Sequence, residues 1–223
     1  MVDQTLQPYA YASDTPANAS DPSGLNSNHW SYSKRQRFAF RYFDEVLKRR
    51  ETLHGPTARW AFLQSAALVG NFMEESSLDP RADQARVTGC GPRQSCGKGI
   101  AQWCYKNCYH HFNRWNTLYR YAHRHNPNSR KQPQFIYQIQ VHFVWVELKS
   151  SPLPGYSRPG VPAGSNALRD LEATTKLREA TLVVMYQYEA PEAGEEHSGR
   201  RVQDATNVCK AFAAKQDKKY CRS

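Results

Sequence analysis

Apolar residues recur at three- and four-residue intervals in two early stretches of the chain, and each stretch predicts a helix. The first covers residues 33–51, and "HGPT" at 54–57 breaks it. The second begins near Thr57 and carries one apolar stripe, made of Phe62, Ala66, Val69 and Met73. It ends at "SSLDP", because the residue before Pro80 is pushed out of the α region. Small residues on this helix predict close approach by a second element: Ala66, Ala67 and Gly70.

The rest of the pattern predicts a small β-hairpin followed by four more helices. Glycine and proline interrupt residues 81–103, as expected of a short irregular hairpin. Helical spacing returns from Tyr105 to Ala122, and further helices are predicted at 133–149, 170–189 and 198–217. Residues 1–28 are polar without an apolar period, which is typical of a flexible tail. The chain therefore predicts a tail, 1–28, and one mainly α-helical domain, 29–223.

The charge balance indicates an anionic environment without choosing one. Lys and Arg number 30 against 20 Asp and Glu, which gives a net charge of +10. Such a protein concentrates near nucleic acid, anionic membranes or an anionic cell wall. The basic residues are dispersed and form no nucleic-acid-binding motif, so we predict no nucleic-acid partner. No window approaches the roughly 20 apolar residues of a membrane span, and the start lacks the blocks of a signal peptide.

The six cysteines favour disulfides formed in an oxidising compartment. They lie in near-neighbour pairs, and although the sequence does not fix which cysteines pair, we expect the local bonds Cys90–Cys96, Cys104–Cys108 and Cys209–Cys221. Free thiols are one alternative. A zinc site that includes His110 and His111 is another, but no CxxC pair is present and the spacings are not those of common zinc modules. We predict no metal and no cofactor.

Two glutamates, Glu74 and Glu75, lie at the end of the second predicted helix. The negative end of the helix dipole, with partial burial, favours the protonated form of a carboxyl group there, which is the form that a general acid needs. The two side chains point about 100° apart around the helix. Periodicity does not say which one faces a substrate, and the alternative is that both are solvated residues at a helix end.

Three segments in order resemble the phage tail lysozyme family: "ALVGNFMEESSLDPRA" at 67–82, "GKGIAQW" at 97–103 and "YEAP" at 188–191. In that family a segment Gly-Asn-Leu-x-x-Glu-Ser-Gly-Leu-Asn-Pro carries the catalytic glutamate, and Gly-x-x-Gln-Trp follows it. The matching positions here are Gly70, Asn71, Glu75, Ser76, Leu78, Pro80 and the run from Gly99 to Trp103. The resemblance therefore selects Glu75 over Glu74. A more distant similarity is to goose-type lysozymes and lytic transglycosylases.

Three positions depart from the family pattern. Ser77 stands where the family has glycine, Asp79 where it has asparagine, and Ala190 where a Tyr-Glu-Arg-Pro form has arginine. These changes bear on substrate contacts more than on the chemistry.

The resemblance implies a lysozyme-like α+β domain that cleaves the β-1,4 bond between N-acetylmuramic acid and N-acetylglucosamine in bacterial peptidoglycan. Glu75 would protonate the leaving oxygen. Asp83 is the nearest candidate for a second carboxylate that directs water; the alternative is that Asp79 caps the turn at Pro80 and Asp83 is solvated. Attack by the sugar's 6-hydroxyl group would make the enzyme a lytic transglycosylase. A catalytically silent wall-binding or structural module is a further alternative.

Four more residues are candidate substrate contacts. The Gln102 amide can donate to and accept from sugar groups. Trp103 either lines the substrate site or lies in the core. Tyr188 either donates a hydrogen bond near the scissile bond or packs between helices. Glu189 either approaches the substrate or forms a salt bridge with Arg200 or Arg201.

The expected partners follow from the same resemblance. Peptidoglycan is the substrate, and a phage tail, a secretion apparatus, or an inhibitor or immunity protein is the expected protein partner. We expect a virion-associated protein or one that is secreted or delivered to the bacterial cell envelope by another component.

Overall fold

A computed structural model of the chain describes residues 30–54, 60–84, 96–106, 113–127, 132–150, 166–189 and 197–222. Helices dominate these residues, and one two-stranded antiparallel sheet accompanies them. The α-helices are α1 (Tyr32–His54), α2 (Ala61–Ser76), α3 (Arg114–His125), α4 (Tyr137–Lys149), α5 (Ala167–Glu172), α6 (Leu177–Val183) and α7 (Ser198–Phe212). A π-helix, Val184–Glu189, continues α6, and short 3₁₀ turns lie at Pro133–Phe135 and Lys218–Tyr220. The predicted tail and the cysteines at 90 and 108 lie outside the described residues.

Helix α2 is the centre of the fold. Every residue from Ala61 to Phe72 is buried, and α1, α6 and α7 pack around it. The sequence predicted a single apolar stripe on this helix, whereas the structure buries all of its sides. Three polar residues are buried with it, Gln64, Ser65 and Asn71, and the amides of Gln64 and Asn71 donate to backbone carbonyls of neighbouring elements. A central helix of this kind reads as mostly apolar with a few buried polar groups.

Helices α2 and α7 touch at the backbone. A Cβ atom added to Gly70 would lie 2.4 Å from the backbone nitrogen of Ala205, so only glycine fits there. The close approach predicted from the small residues of α2 is therefore confirmed. Arg201 lies one turn before Ala205 on α7, and the contact brings that arginine alongside the last turn of α2.

The end of α2 is a left-handed turn. The amide of Ser77 donates to Met73 O at 2.8 Å, and Ser77 and the buried Leu78 both have positive φ, 53° and 58°. This is the position at which helices commonly place glycine, because a Cβ atom is disfavoured in the left-handed region. Ser77 is also one of the three positions at which the sequence departs from the pattern that it resembles, since that pattern has glycine there. The helix ends at Ser76, in agreement with the stop predicted from "SSLDP".

The predicted hairpin is confirmed. Strands β1 (Cys96–Lys98) and β2 (Trp103–Lys106) pair antiparallel, and a turn with positive φ at Gly99 and Gln102 joins them. The predicted start of the next helix at Tyr105 is wrong, because that residue belongs to β2. Helix α3 begins only at Arg114, where the Asn113 side chain caps it by accepting from the amide of Asn116 at 2.9 Å.

The single helix predicted over 170–189 is also wrong. Helix α5 ends at Glu172, and α6 begins at Leu177. The buried Gln64 amide donates to the carbonyls of Glu172 and Thr174, both at 3.3 Å, and so satisfies backbone groups that the break leaves without helical partners. The last six residues then wind as a π-helix, which is rare and is often found at functional sites.

Disulfides support the periphery. The predicted bond Cys209–Cys221 is confirmed, with its Cα atoms 5.6 Å apart, and it ties the chain after α7 back to that helix. Cys96 and Cys104 are also disulfide-bonded, and the partners predicted for them lie outside the described residues. None of the described helices is long and apolar enough to cross a membrane. The described part of the chain holds no group of three or more His, Cys, Asp or Glu residues that could bind a metal ion.

The backbone contact between α2 and α7 predicts a large effect of one methyl group. Gly70→Ala should lower the free energy of unfolding by about 1–3 kcal/mol, because overpacking outweighs the better helix propensity of alanine. Gly199→Ala is the matched control, since nothing lies within 4 Å of a Cβ atom at Gly199. The control should leave stability unchanged or raise it by up to about 1 kcal/mol. Urea unfolding of both variants measures this, and equal stability of the two would contradict the contact.

Candidate active site

The last turn of α2 presents Glu75 to α7. An Nη2 atom of Arg201 donates a charge-assisted hydrogen bond to Glu75 Oε1. The Arg201 side chain is only 3% exposed, whereas that of Glu75 is 16% exposed. The carboxyl group therefore lies at the margin of the core, with a buried cation behind it and access from solvent.

Asn71 holds that arginine in place. Its Nδ2 donates to the carbonyls of Ala67 and Thr181, at 2.8 and 3.1 Å, and its Oδ1 accepts from Arg201 Nη1 at 3.2 Å. The Gly-Asn pair of the sequence thus has a physical role, one turn before the glutamate. Gly70 lets α7 approach, and Asn71 orients the cation that contacts Glu75.

Glu74 points to a different group of residues. Its Oε1 lies 2.8 Å from His197 Nδ1 and 3.8 Å from Arg200 Nη1, both outside the core. Arg200 and Arg201 were the predicted alternative partners of Glu189. In the structure Arg200 lies against Glu74, and Arg201 lies against Glu75. Helix geometry separates Glu74 from Glu75, as the angular spacing predicted.

Glu189 lies at the end of the π-helix, near the end of α2. The ring of the preceding Tyr188 packs edge-on against Phe72, with centroids 6.1 Å apart. Glu189 Oε1 is buried and has no hydrogen-bond partner among the described residues. Burial raises the pKa of Glu189 well above its ordinary value, the charge of Glu75 raises it further, and Arg114 and Arg201 oppose the shift. Two carboxyl groups with very different surroundings therefore share one region.

A buried carboxylate, that of Glu147 on α4, joins four elements beneath this region. It accepts from Trp103 Nε1 at 2.7 Å, from the Tyr188 hydroxyl at 2.7 Å, and from Arg114 Nε and Nη2 at 3.0 and 2.9 Å. Arg114 Nη1 also donates to the Tyr188 carbonyl at 3.3 Å. Burial, and then the charge of Glu147, raises the pKa of Tyr188 well above its ordinary value, so the hydroxyl stays a donor.

Two sequence-predicted contact residues belong to this buried cluster. Trp103 is 0% exposed and Tyr188 is 2% exposed, so the structure places both in the core and not at a surface. Of the alternatives given for these two residues, Trp103 lies in the core and Tyr188 packs between helices. Sequence reasoning missed Glu147 and Arg114 entirely. The available signal was the lone acidic residue of a largely buried helix, since a glutamate is almost never buried unless it is paired.

The hairpin turn is bonded directly to the end of α2. The Ser76 hydroxyl donates to Ile100 O at 2.9 Å, and the Ile100 amide donates to the buried Gln140 Oε1 at 2.9 Å. Gln140 Nε2 in turn donates to Pro80 O at 2.8 Å. Gln102, partly exposed on the turn, folds its amide onto Gly99 O at 3.0 Å. The Glu-Ser pair and the second segment are therefore parts of one hydrogen-bonded unit.

Asp83 is engaged with the hairpin. Its carboxylate lies 3.3 Å from Lys98 Nζ and accepts from the Tyr105 hydroxyl at 3.1 Å, and its side chain is 11% exposed. The solvated alternative for Asp83 is therefore wrong, because the hairpin covers and pairs it. Asp79 does cap its turn, since Oδ1 accepts from the Arg81 amide at 3.0 Å.

Comparison with known proteins gives one match. A family model described as phage tail lysozyme matches residues 59–212, which is more than half of the chain. No curated protein sequence and no solved structure matches the chain. The matched span contains all three segments that carried the resemblance, together with Arg114, Glu147 and Arg201.

The buried cluster around Glu147 predicts a strong dependence of stability on that carboxylate. Glu147→Gln should lower the free energy of unfolding by about 3–5 kcal/mol, because it leaves the Arg114 cation buried without a counter-charge. Glu179→Gln is the matched control, since Glu179 pairs with Lys176 on the surface. The control should lower the free energy of unfolding by about 0–1 kcal/mol. Chemical denaturation measures both, and a loss below about 1 kcal/mol for Glu147→Gln would contradict the role given to the cluster.

Proposed function

Because the chain belongs to the phage tail lysozyme family, we propose that it is a lysozyme-like glycosidase that cleaves the glycan strands of bacterial peptidoglycan. The bond is the β-1,4 link between N-acetylmuramic acid and N-acetylglucosamine. Glu75 is the general acid that protonates the leaving oxygen. The observation that carries this proposal is the position of Glu75 on the exposed margin of the last turn of α2, backed by Arg201 and bonded through Ser76 to the hairpin.

The surroundings of Glu75 suit a general acid whose carboxylate must be stabilised once the proton has left. As acid, the protonated carboxyl group gives its proton to the glycosidic oxygen as the bond to the sugar's anomeric carbon breaks. The carboxylate that results is negative, and the Arg201 guanidinium is already positioned to stabilise it. In an inverting hydrolase the proton of the attacking water goes to a second carboxylate, whereas in a lytic transglycosylase the Glu75 carboxylate itself accepts the proton of the sugar's 6-hydroxyl group. The buried cation stabilises the Glu75 carboxylate without a large rearrangement.

Water is the nucleophile in our proposal, which makes the enzyme a muramidase. Asp83 is the candidate carboxylate for directing that water, and Lys98 and Tyr105 keep it oriented. The runner-up is attack by the 6-hydroxyl group of the muramic acid, which makes the enzyme a lytic transglycosylase. Both reactions use Glu75 as the acid, and they differ in the nucleophile, in the carboxylate that takes its proton and in the product end.

Substrate binding is assigned to the hairpin side. Gln102 is partly exposed beside the turn that carries Gly99, and its amide can exchange the bond to Gly99 O for one to a sugar N-acetyl group. Trp103 and Tyr188 support substrate binding indirectly, because their hydrogen bonds to Glu147 hold the hairpin and the π-helix at fixed positions. The expected protein partner remains a phage tail, a secretion apparatus, or an inhibitor or immunity protein, with action at the bacterial cell envelope.

The assignment of Glu75 predicts a clear contrast between neighbouring glutamates. Glu75→Gln should lower the rate of peptidoglycan clearing by at least about 100-fold, because a general acid contributes about 10²–10⁴. Glu74→Gln is the matched control, since Glu74 contacts His197 and Arg200 instead, and it should keep wild-type activity. A zymogram followed by turbidity assays on purified cell walls measures both.

The products of the same assay separate the two reaction classes. Mass spectrometry of the released muropeptides should show reducing ends, and anhydro ends would identify the transglycosylase instead. Clearing by Glu75→Gln at the wild-type rate would overturn the assignment of the acid. Binding to peptidoglycan without release of any muropeptide would favour the silent wall-binding module.

A further inference from the structure

The positive charge of the chain comes from one continuous segment. Residues 84–169 contain 12 Lys and Arg and a single Asp or Glu, whereas the rest of the chain contains 18 Lys and Arg and 19 Asp and Glu. The one acidic residue of the segment is Glu147, which is buried and paired with Arg114. The segment therefore has no exposed carboxylate of its own to offset its cations, and such a segment attracts anions.

Most of the segment's cations whose side chains the structure describes have a partner. The pairs are Lys98–Asp83, Arg114–Glu147 and Arg169–Asp170, and Lys149 lies over the ring of Trp145. The exceptions are Arg120 and Arg124, which are both exposed on α3. Neither forms an ion pair with any carboxylate in the part of the chain that the structure describes. These two guanidinium groups are therefore available to an external anion.

Arg120 and Arg124 lie one turn apart on the outward side of α3, because residues four apart are neighbours on a helix. Beside them lies a second row, made of Tyr119 and His123, whose ring centroids are 4.2 Å apart. Tyr119 is 45% exposed and is one of three large hydrophobic side chains exposed among the described residues. Asn116 is exposed one turn before Arg120. We call these five residues the α3 outer face.

The chemistry of the α3 outer face suits a ligand that is both sugar-like and anionic. Guanidinium groups bind carboxylates through paired hydrogen bonds. The ring of Tyr119 offers a flat apolar surface for the C–H side of a sugar ring, with a polar hydroxyl at its edge. The Asn116 amide can donate to and accept from sugar hydroxyl or N-acetyl groups. From Asn116 to Arg124 the face extends about 12 Å along the helix axis, so it can contact more than one sugar.

We propose that the α3 outer face is a second docking site for bacterial peptidoglycan, separate from the site at Glu75, and that it holds the protein on the insoluble wall. Sugar rings of the glycan strand pack on Tyr119, and carboxylates of the stem peptides pair with Arg120 and Arg124. This inference rests on the substrate named in the proposed function. Helix α3 packs on β2 and α4, whereas Glu75 lies between α2 and α7, so the two sites lie on different elements.

Two other anionic partners fit the α3 outer face less well. A polymer of phosphate groups would use both cations but would give the exposed ring of Tyr119 no sugar to pack against. A lipid surface is bound by apolar side chains that insert into it, together with cations. The α3 outer face has one aromatic ring with a polar tip and no exposed aliphatic side chain.

The test is binding to purified, insoluble peptidoglycan from which attached phosphate polymers have been removed. All proteins carry Glu75→Gln, so that the wall stays intact during the measurement. Arg120→Gln combined with Arg124→Gln should raise the Kd at least about tenfold, and Tyr119→Ala should raise it about 3–10-fold. The matched control is Arg37→Gln combined with Arg41→Gln on α1. Those arginines have the same spacing and are also exposed without a described ion pair, and their loss should change the Kd by less than about threefold.

A second readout uses the protein with Glu75 intact. On the same insoluble walls, the Arg120 and Arg124 double variant should raise the KM by about the factor found for the Kd, with kcat within about twofold of wild type, because the docking site binds substrate without touching the reacting bond. Urea unfolding should give the same midpoint as wild type, since both substitutions lie on the surface.

The outcomes separate this proposal from the function on which it rests. Unchanged binding by the Arg120 and Arg124 double variant would overturn the docking site, as would equal losses in both arginine pairs, which would mean that only net charge matters. Binding that is lost on the stripped walls and present on walls that keep their phosphate polymers would overturn it too. Release of muropeptides by Glu75→Gln would instead overturn the proposed general acid.

Discussion

The bond between the Glu147 carboxylate and its donors is the interaction on which the arrangement of this protein depends. One buried anion receives the hairpin through Trp103, α3 through Arg114 and the π-helix through Tyr188. A buried charge is tolerated only when it is paired and hydrogen-bonded, so these elements cannot move apart without exposing an unpaired charge to a low-dielectric interior. The cluster thereby fixes the end of the π-helix, and with it Glu189, against the end of α2.

A second contact, between α2 and α7, positions α2 relative to the elements that Glu147 joins. Gly70 admits the backbone of α7, and the approach aligns Arg201 with Glu75 and Asn71. The candidate site then contains two paired carboxylates, Glu75 with Arg201 and Glu147 with Arg114, and a third carboxyl group, Glu189, whose Oε1 has no hydrogen-bond partner among the described residues. Fixed charges of this kind stabilise developing charge without reorganisation at the moment of reaction.

The sequence pattern was sufficient to predict those elements whose structure depends on residues close to one another in the chain. Pro80 predicts the end of α2 at Ser76, and glycine and proline predict the hairpin around Gly99. The small residues of α2 predict the close approach at Gly70. Two elements were predicted wrongly because their periodicity is ambiguous. The aromatic residues from Tyr105 onward fit a strand as well as a helix, and the break after Glu172 depends on the Gln64 amide, which lies more than 100 positions earlier in the chain.

The candidate site was predictable only in part, because many of its contacts join residues that are distant in the sequence. The resemblance selected Glu75 and named Trp103, Tyr188 and Glu189 as candidate substrate contacts, of which the structure buries Trp103 and Tyr188 in the core. The partners that define their roles are distant in sequence, since Arg201 meets Glu75 across 126 positions and Tyr188 meets Glu147 across 41. No spacing rule reports such pairs. The one acidic residue of the largely buried helix α4 was the local sign of the buried cluster.

The central claim is that a peptidoglycan glycan strand binds with its scissile bond at Glu75. The most direct measurement is a crystal structure of Glu75→Gln in complex with a peptidoglycan tetrasaccharide. We predict that the side-chain amide of residue 75 lies within about 3 Å of the glycosidic oxygen between N-acetylmuramic acid and N-acetylglucosamine. A saccharide bound with every glycosidic oxygen out of reach of residue 75 would contradict the account.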